Sequence, residues 1–353
     1  MRVFEPAGHG TSIEGLWRAA STGRLSHALL FEGPRGIGKF AAALWFTAGL
    51  LCRAGPGRPC LVCPGCKQLA AGDWRGGHAD FLRIDPVEEG WDEIPVSAIA
   101  ERAGERSSVQ SLSSFLSLKA LEGERRVVVV REAERLNEHA QNALLKTLEE
   151  PAPGTVLVLE CSRPLELLPT VRSRTVRLAF APPGRAVALA VLAEAGAPLA
   201  TAEALVELTD GSPGESLRLL HQGADGMLAL WDRVFAPGSD TLACAGALWE
   251  LEGDFGEGSA LAVSRRRLAL FLELGTALVH RARRVAVGAG AEETAPGAGS
   301  EALTALARDG ERAAALRFAR LVDRRRDVDH NLDPGAVLEL ALLDVRAGAR
   351  GLP

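Results

Sequence analysis

The stretch GPRGIGKF, residues 33–40, ends the apolar run HALLFEG (27–33) and opens the helix-forming run KFAAALWFTAGLL (39–51). A phosphate-binding loop has this strand–turn–helix context and reads glycine, four residues, glycine, lysine, then serine or threonine. Its backbone N–H groups and helix N-terminus cradle phosphate oxygens. The candidate binding residues are Gly33, Gly36, Gly38 and Lys39. Phe40 replaces the hydroxyl that would ligate Mg²⁺, so the stretch is either a degenerate nucleotide loop or a glycine-rich turn without a ligand.

A second element of such a site is an apolar strand that ends in Asp-Glu, where the Asp holds Mg²⁺ and the Glu polarises the attacking water. The run VVVVREAERL (127–136) supplies the strand and places Glu132 at the second position. Arg131 occupies the Asp position, where a cation would repel the metal. With Phe40 and Arg131, two expected ligands of the same Mg²⁺ are missing, which is hard to reconcile with ATP hydrolysis. The alternative is a solvated run of charges at the end of a strand.

The order of elements along the chain predicts an α/β domain followed by helices. Apolar strand candidates alternate with helical patterns up to residue 181, which indicates a mainly parallel sheet covered on both faces. The strand candidates are 27–33, 79–86, 125–133, 154–162 and 175–180. We therefore predict an α/β domain (1–181), a small domain of three short helices (182–224) and a helical C-terminal domain (225–353). The Gly/Ala-rich stretch 285–302 is expected to be a mobile loop.

Composition is that of an ordinary globular protein, with 353 residues, 47% apolar, 24% charged and a formal net charge of −5. A balance this close to neutral gives no global basic field for binding nucleic acid. The N-terminus lacks the basic and apolar regions of a signal peptide, and no apolar run is long enough to span a membrane. We therefore expect a cytoplasmic protein.

Four of the six cysteines form a C-x7-C-x2-C-x2-C array directly after the loop helix. Such clustering of cysteines in a chain that is expected to be cytoplasmic favours a metal site over disulfides. Four thiolates would complete a tetrahedral Zn²⁺ shell with no open position, so the predicted site is structural. Free thiols and a redox pair are the alternatives. The predicted ligands are Cys52, Cys60, Cys63 and Cys66.

Residues 8–225 resemble the clamp-loader subunits of bacterial DNA polymerase III, which belong to the AAA+ superfamily. The resemblance rests on GRLSHALLFEGPRGIGK (23–39), the four-cysteine insertion, NALLKTLEEP (142–151) and DGSPGESLRLL (210–220). The match is nearest to the delta-prime, or stator, branch, in which the fold persists while the ATP site is often degraded. The resemblance implies that the three-helix domain is a lid and that the C-terminal domain is a collar that holds subunits together.

The resemblance also implies roles for residues outside the loop. Active relatives carry an arginine in the lid that senses the γ-phosphate, and Gly214 stands at that place. The strand tip that offers a polar sensor in those relatives reads Cys161-Ser162 here. Both differences are consistent with a degraded site.

The segment VRSRTVRL (171–178) resembles the family's Ser-Arg-Cys motif, with Ser173 and Arg174 present and Thr175 in place of the cysteine. In the family this arginine reaches across a subunit interface to a neighbour's ATP, where a planar guanidinium binds phosphate oxygens in a fork. Taken alone, the segment would be an exposed basic turn. Lys146 is expected on a solvated helix face, with Glu149 and Glu150 as its i,i+3 and i,i+4 neighbours.

The expected function is that of a stator that presents Arg174 to a gamma/tau-type motor subunit. Its other partners would be the delta subunit and, through the complex, the sliding clamp and primed DNA. Two alternatives stay open: an active gamma/tau-like ATPase subunit, and a zinc-bearing AAA+-like adaptor outside replication.

Overall fold

The computed structural model describes residues 5–70, 78–100, 110–236, 238–287, 299–330 and 332–347. The chain divides into two compact units, Met1–Gly184 and Arg185–Pro353. Most of the predicted mobile loop, residues 288–298, lies outside the described residues.

The first unit is built on one parallel sheet, as the sequence predicts. Its strand order is β2-β3-β4-β1-β5, and every neighbouring pair is parallel. The strands are β1 (Ala28–Glu32), β2 (Phe81–Ile84), β3 (Arg126–Val130), β4 (Thr155–Cys161) and β5 (Val176–Ala179). Because all strands run the same way, the loops that follow them meet at one edge of the sheet, where open α/β sheets bind ligands.

Eight α-helices precede or connect these strands in the described part of the unit. They are α1 (Gly10–Ser21), α2 (Lys39–Leu50), α3 (Pro64–Ala70), α4 (Pro86–Glu89), α5 (Val96–Ile99), α6 (Leu112–Ser117), α7 (Glu138–Glu149) and α8 (Pro169–Arg172). Three of them begin with a side-chain cap: Asp85 before α4, Ser111 before α6 and Asn137 before α7 each accept a backbone N–H bond. Such caps satisfy donors that the first turn leaves unpaired.

The sheet has an apolar core on each face, because successive strand residues point to opposite sides. Leu29 of β1 and Val127 of β3 pack in one core with α1 and α2. Leu30 and Val128, one residue further on, pack in the other with α5, α6 and α7. Strands buried on both faces read as continuous apolar runs, which explains the four consecutive valines of β3.

The second unit consists of helices throughout its described residues. They are α9 (Arg185–Glu194), α10 (Leu199–Leu208), α11 (Pro213–His221), α12 (Ala224–Phe235), α13 (Thr241–Glu250), α14 (Ala260–Ala286), α15 (Ser300–Arg308), α16 (Gly310–Asp329) and α17 (Pro334–Ala347). A single apolar core runs through them, and its largest buried side chain, Trp231, stacks on Phe271 with ring centroids 4.4 Å apart. Among the described residues, no helix is both long and apolar enough to cross a bilayer.

Candidate nucleotide site, cysteine cluster and arginine segment

The glycine-rich loop lies between β1 and α2, at the carboxyl edge of the sheet. Gly33 has φ 152°, and a Cβ there would lie 2.3 Å from the backbone oxygen of Phe180. Glycine is therefore required where the loop passes the end of β5. Further along the loop, Nε2 of His9 lies 2.7 Å from the backbone oxygen of Ile37. The loop thus has the strand–turn–helix geometry that the sequence predicts.

Lys39, the lysine of the loop, points into the protein and is only 2% exposed. Its ammonium group carries three N–H donors, and three oxygen atoms of the chain surround it. They are the backbone oxygen of Pro34 at 2.7 Å, Oγ of Ser162 at 2.9 Å and Oε1 of Glu160 at 3.0 Å. A phosphate would have to displace one of these partners to reach the ammonium.

Glu160 provides the negative charge of this cluster from the middle of the sheet. It lies on β4, is 6% exposed, and its Oε2 accepts the backbone N–H of Glu132 at 3.0 Å. Glu132 has φ 48°, a left-handed conformation that is uncommon for a residue other than glycine. The carboxylate therefore links the phosphate-loop lysine to the end of β3.

The two residues that depart from the metal-binding pattern contact each other. The guanidinium carbon of Arg131 lies 4.9 Å from the ring centroid of Phe40, within cation–π range. Nη1 of Arg131 also lies 3.2 Å from Oδ2 of Asp85, a carboxylate that is 3% exposed and caps α4. The ring of Phe40, the guanidinium of Arg131 and the carboxylate of Asp85 thus pack together at the carboxyl edge of the sheet.

Glu132, which stands where a water-polarising residue would, is held between two arginines. Its Oε2 accepts from Nη1 of Arg135 at 3.0 Å, and its Oε1 lies 3.7 Å from Nη2 of Arg35. Both oxygens of this carboxylate are therefore occupied by contacts within the same chain.

The four cysteines of the array come together beside α2. Their sulfur atoms all lie within 4.8 Å of one another, and those of Cys60 and Cys66 are 4.0 Å apart. A tetrahedral site with Zn–S bonds of about 2.3 Å has edges of about 3.8 Å, so the arrangement fits four-sulfur coordination. Gly49 of α2 allows the cysteine-containing insertion to approach the helix, because a Cβ at this position would lie 2.1 Å from the backbone oxygen of Gly57. The cluster could therefore bind a metal ion.

Backbone donors inside the cluster favour thiolates. The N–H of Cys63 points at the sulfur of Cys60, and that of Cys66 at the sulfur of Cys63, at 3.3 and 3.4 Å. Hydrogen bonds from the backbone of Val62 and Cys63 lower the pKa of Cys60 to about 6. Burial instead raises the pKa of Cys66, which metal binding would have to overcome.

Arg174 lies at the other edge of the sheet from the phosphate loop. It follows α8 and precedes β5, whereas the loop follows β1, and these two strands are adjacent and parallel. The paired part of β1 and β5 is four residues long, so the amino ends and the carboxyl ends of these strands are about 10 Å apart. The arginine therefore cannot reach the loop of its own chain. Ser173 is exposed beside it and donates to the backbone oxygen of Thr170 at 3.1 Å.

A cleft of about 300 Å³ also lies at this amino-terminal edge. Its lining includes His27, Arg125, Pro151 and Thr155, which begin or precede strands, and it contains none of the phosphate-loop residues. The cleft is therefore separate from the candidate nucleotide site.

Gly214, at the position of the lid arginine in active relatives, lies in the first turn of α11. One turn further on, Arg218 pairs with Glu215 and Glu273 within the same unit, at 2.8 and 3.1 Å. The guanidinium of Arg218 therefore joins α11 to α14 through its two ion pairs.

Two acidic residues that contact the predicted ones carry no role in the sequence analysis: Asp85, beside Arg131, and Glu160, beside Lys39. Glu160 had a usable signal, because a single carboxylate inside the apolar run LVLEC must find a buried partner. Glu149 was expected beside Lys146, but its Oε1 lies 2.7 Å from Nη2 of Arg174.

A parallel sheet with a glycine-rich loop between its first strand and the following helix is the arrangement of a P-loop-type α/β domain. A family model described as "DNA polymerase III, delta subunit" matches residues 8–184, half of the chain. The chain belongs to this family.

Several proteins of known name are similar. DNA polymerase III subunit delta' of Pseudomonas aeruginosa is 39% identical over 214 residues, which are 60% of this chain and 61% of that protein. DNA polymerase III subunit gamma/tau of Mycobacterium bovis is 30% identical over 211 residues, 58% of this chain and 34% of that protein. A DNA polymerase III gamma subunit-related protein from Thermotoga maritima aligns with a TM-score of 0.49 and 17% identity over 95% of this chain and 98% of that one. The matched part of the chain thus covers less than two thirds of the length of each of these two sequence relatives.

The buried pair predicts that Lys39 stabilises the fold. We expect Lys39→Met to lower the free energy of unfolding by about 3–5 kcal/mol, because it leaves the Glu160 carboxylate buried without its partner. Adding Glu160→Gln should recover part of this loss, since the charge is removed while an acceptor for the Glu132 N–H remains. Urea denaturation at neutral pH measures both effects.

Lys146→Met is the matched control, because Lys146 is an exposed lysine on α7 in the same unit. It should change the free energy of unfolding by less than about 0.5 kcal/mol. Equal stability of the Lys39 and Lys146 variants would contradict a structural role for the buried pair.

Proposed function

We propose that this chain is a delta-prime-like stator subunit of the DNA polymerase III clamp loader. In this role it neither hydrolyses ATP nor binds it with Mg²⁺, and it presents Arg174 to the ATP of a neighbouring gamma/tau-type subunit. The observation that supports the proposal is that Lys39 of the loop contacts the buried Glu160, and that Arg131 contacts Asp85 and Phe40.

The contacts of Lys39 and Arg131 support the loss of ATPase activity. The ammonium of Lys39 is neutralised by Glu160, so the loop has little net positive charge left for a triphosphate. Arg131 adds a cation where Mg²⁺ would bind, and its pairing with Asp85 and Phe40 holds it there. Replacing Arg131 alone by a metal-binding residue would still leave Phe40 in the place of the hydroxyl and Lys39 bound to Glu160.

The position of Arg174 supports action on another subunit. The arginine is separated from its own loop by the length of the sheet, and its side chain is 37% exposed at an edge that a neighbour can approach. A guanidinium placed against developing phosphoryl charge can raise the rate of transfer by about 10³–10⁵-fold. Arg174 would thus contribute to catalysis in a site that belongs to another chain.

The remaining parts of the chain would serve assembly. The cysteine cluster would hold a structural Zn²⁺ through Cys52, Cys60, Cys63 and Cys66, which would fix the insertion against α2. The helices from α9 to α11 would form the lid, and those from α12 onward the collar that joins the delta and gamma/tau-type subunits. Loading of the sliding clamp on primed DNA would be a property of the whole complex.

Steady-state ATP hydrolysis tests the proposal directly. We expect no Mg²⁺-dependent turnover by the purified chain alone. Mixed with gamma/tau-type and delta subunits, clamp and primed DNA, the wild-type chain should raise the ATPase rate. Arg174→Ala should make this increase at least about tenfold smaller, because the transition-state contact is lost.

Arg163→Ala is the matched control, since Arg163 is also exposed and lies in the same unit but follows β4 at the opposite edge. It should leave the mixture's rate near that of wild type. Turnover by the chain alone that Lys39→Ala abolishes would instead establish an active motor subunit. Indifference of the mixture to Arg174→Ala would favour an adaptor outside replication.

A reversion tests how completely the nucleotide site is filled. We expect Phe40→Thr with Arg131→Asp to gain no measurable Mg²⁺-ATP binding, because Lys39 stays bound to Glu160 and is not available to the phosphates. Isothermal calorimetry with ATP and Mg²⁺ measures this. Micromolar binding by the double variant would mean that Glu160 does not block the loop.

Metal content tests the cysteine cluster. The purified chain should carry one zinc, and Cys63→Ser should weaken zinc retention by at least about tenfold, because it replaces a soft thiolate by a hydroxyl. Competition with a chromogenic chelator measures the release. Cys244→Ser, at a buried cysteine of the second unit, is the control and should keep its zinc. Full zinc retention in Cys63→Ser would exclude four-sulfur coordination.

A further inference from the structure

Arg174 contacts three residues of the first unit. Its Nη2 lies 2.7 Å from Oε1 of Glu149, and its Nη1 donates to the backbone oxygen of Thr170 at 3.1 Å and to Oγ of Ser173 at 3.4 Å. The first contact joins the arginine to the end of α7, and the second joins it to α8. The side chain is thus held by two separate elements before any partner is present.

The element that carries Glu149 is well anchored. Glu149 is the last residue of α7, whose inner face is buried through Ala140, Leu144 and Leu148. By contrast, α8 spans only four residues and ends directly before Ser173. A contact from α7 therefore supplies rigidity that the short helix cannot provide by itself.

A second contact ties the segment before α8 to the same helix. The buried Gln141 of α7 accepts the backbone N–H of Leu168 at 2.7 Å, and its Nε2 donates to the backbone oxygen of Glu166 at 3.3 Å. Gln141 thus fixes the backbone that leads into α8, while Glu149 fixes the side chain that follows it.

The ion pair contributes little to stability but leaves the arginine able to bind a phosphate. The two side chains are 37% and 51% exposed, and exposed pairs of this kind add little to the free energy of unfolding. A guanidinium has five N–H donors, and each Nη carries two of them. Glu149 can therefore keep one hydrogen of Nη2 while another donor of the same face meets a phosphate oxygen.

We propose that Glu149 is a positioning residue for Arg174, which orients the guanidinium toward the neighbouring subunit's ATP. This inference rests on the proposed finger role of Arg174. Its basis is preorganisation: a group that is already aimed at the developing charge loses no rate to reorientation.

The test measures the ATPase rate of the complete mixture of clamp-loader subunits, clamp and primed DNA. We expect Glu149→Ala to lower the Arg174-dependent part of kcat by about tenfold, while the concentration of this chain needed for half-maximal stimulation changes little. Glu149→Gln keeps an oxygen acceptor at the same reach and should retain most of the rate. Glu150→Ala, the exposed neighbour with the same change in charge, is the control and should behave as wild type.

The double variant Glu149→Ala with Arg174→Ala should hydrolyse ATP at the rate of Arg174→Ala alone, because Glu149 acts only through the arginine. A further loss in the double variant would assign Glu149 another role and overturn the inference. A higher rate in both Glu149→Ala and Glu149→Gln would also overturn it, since it would show that the carboxylate competes with phosphate for the arginine.

The outcomes separate this inference from the proposed function. If Arg174→Ala lowers the rate and Glu149→Ala does not, the finger role stands and the positioning role is wrong. If Arg174→Ala itself has no effect, the proposed function fails and the inference fails with it.

Discussion

The carboxyl edge of the sheet depends on one buried ion pair, that of Lys39 with Glu160. A buried charge without a partner is costly, so each of the two residues requires the other. Their contact fixes the glycine-rich loop against β4, and the second oxygen of Glu160 holds the end of β3 through the N–H of Glu132. Three strand ends thereby share one electrostatic centre, and the loop keeps its shape through the chain's own carboxylate.

The neighbouring pair of Phe40 and Arg131 follows the same logic. Viewed singly, each residue is an unfavourable substitution in a metal site. Together they form a cation–π contact, and Asp85 balances the charge of the guanidinium. The aromatic ring, the guanidinium and the buried carboxylate thus pack against one another at this edge of the sheet.

A parallel sheet separates two chemical regions by its polarity. Loops that follow strands meet at one edge, and segments that precede strands meet at the other. The phosphate loop after β1 and Arg174 before β5 therefore face opposite directions, although the strands are neighbours. A chain built in this way presents its loop and its arginine at opposite edges of the same sheet.

The sequence by itself determined the parallel sheet, the loop after β1 and the grouping of the cysteines, because apolar runs, glycine positions and C-x2-C spacings act over short distances. It also identified Phe40 and Arg131 as departures from a metal site. Only the tertiary structure decided that these two side chains touch, that Glu160 neutralises Lys39 and that Glu149 pairs with Arg174 and not with Lys146. Such contacts join residues from 25 to more than 100 positions apart in the chain. They depend on strand order and on side-chain direction, which local patterns do not specify.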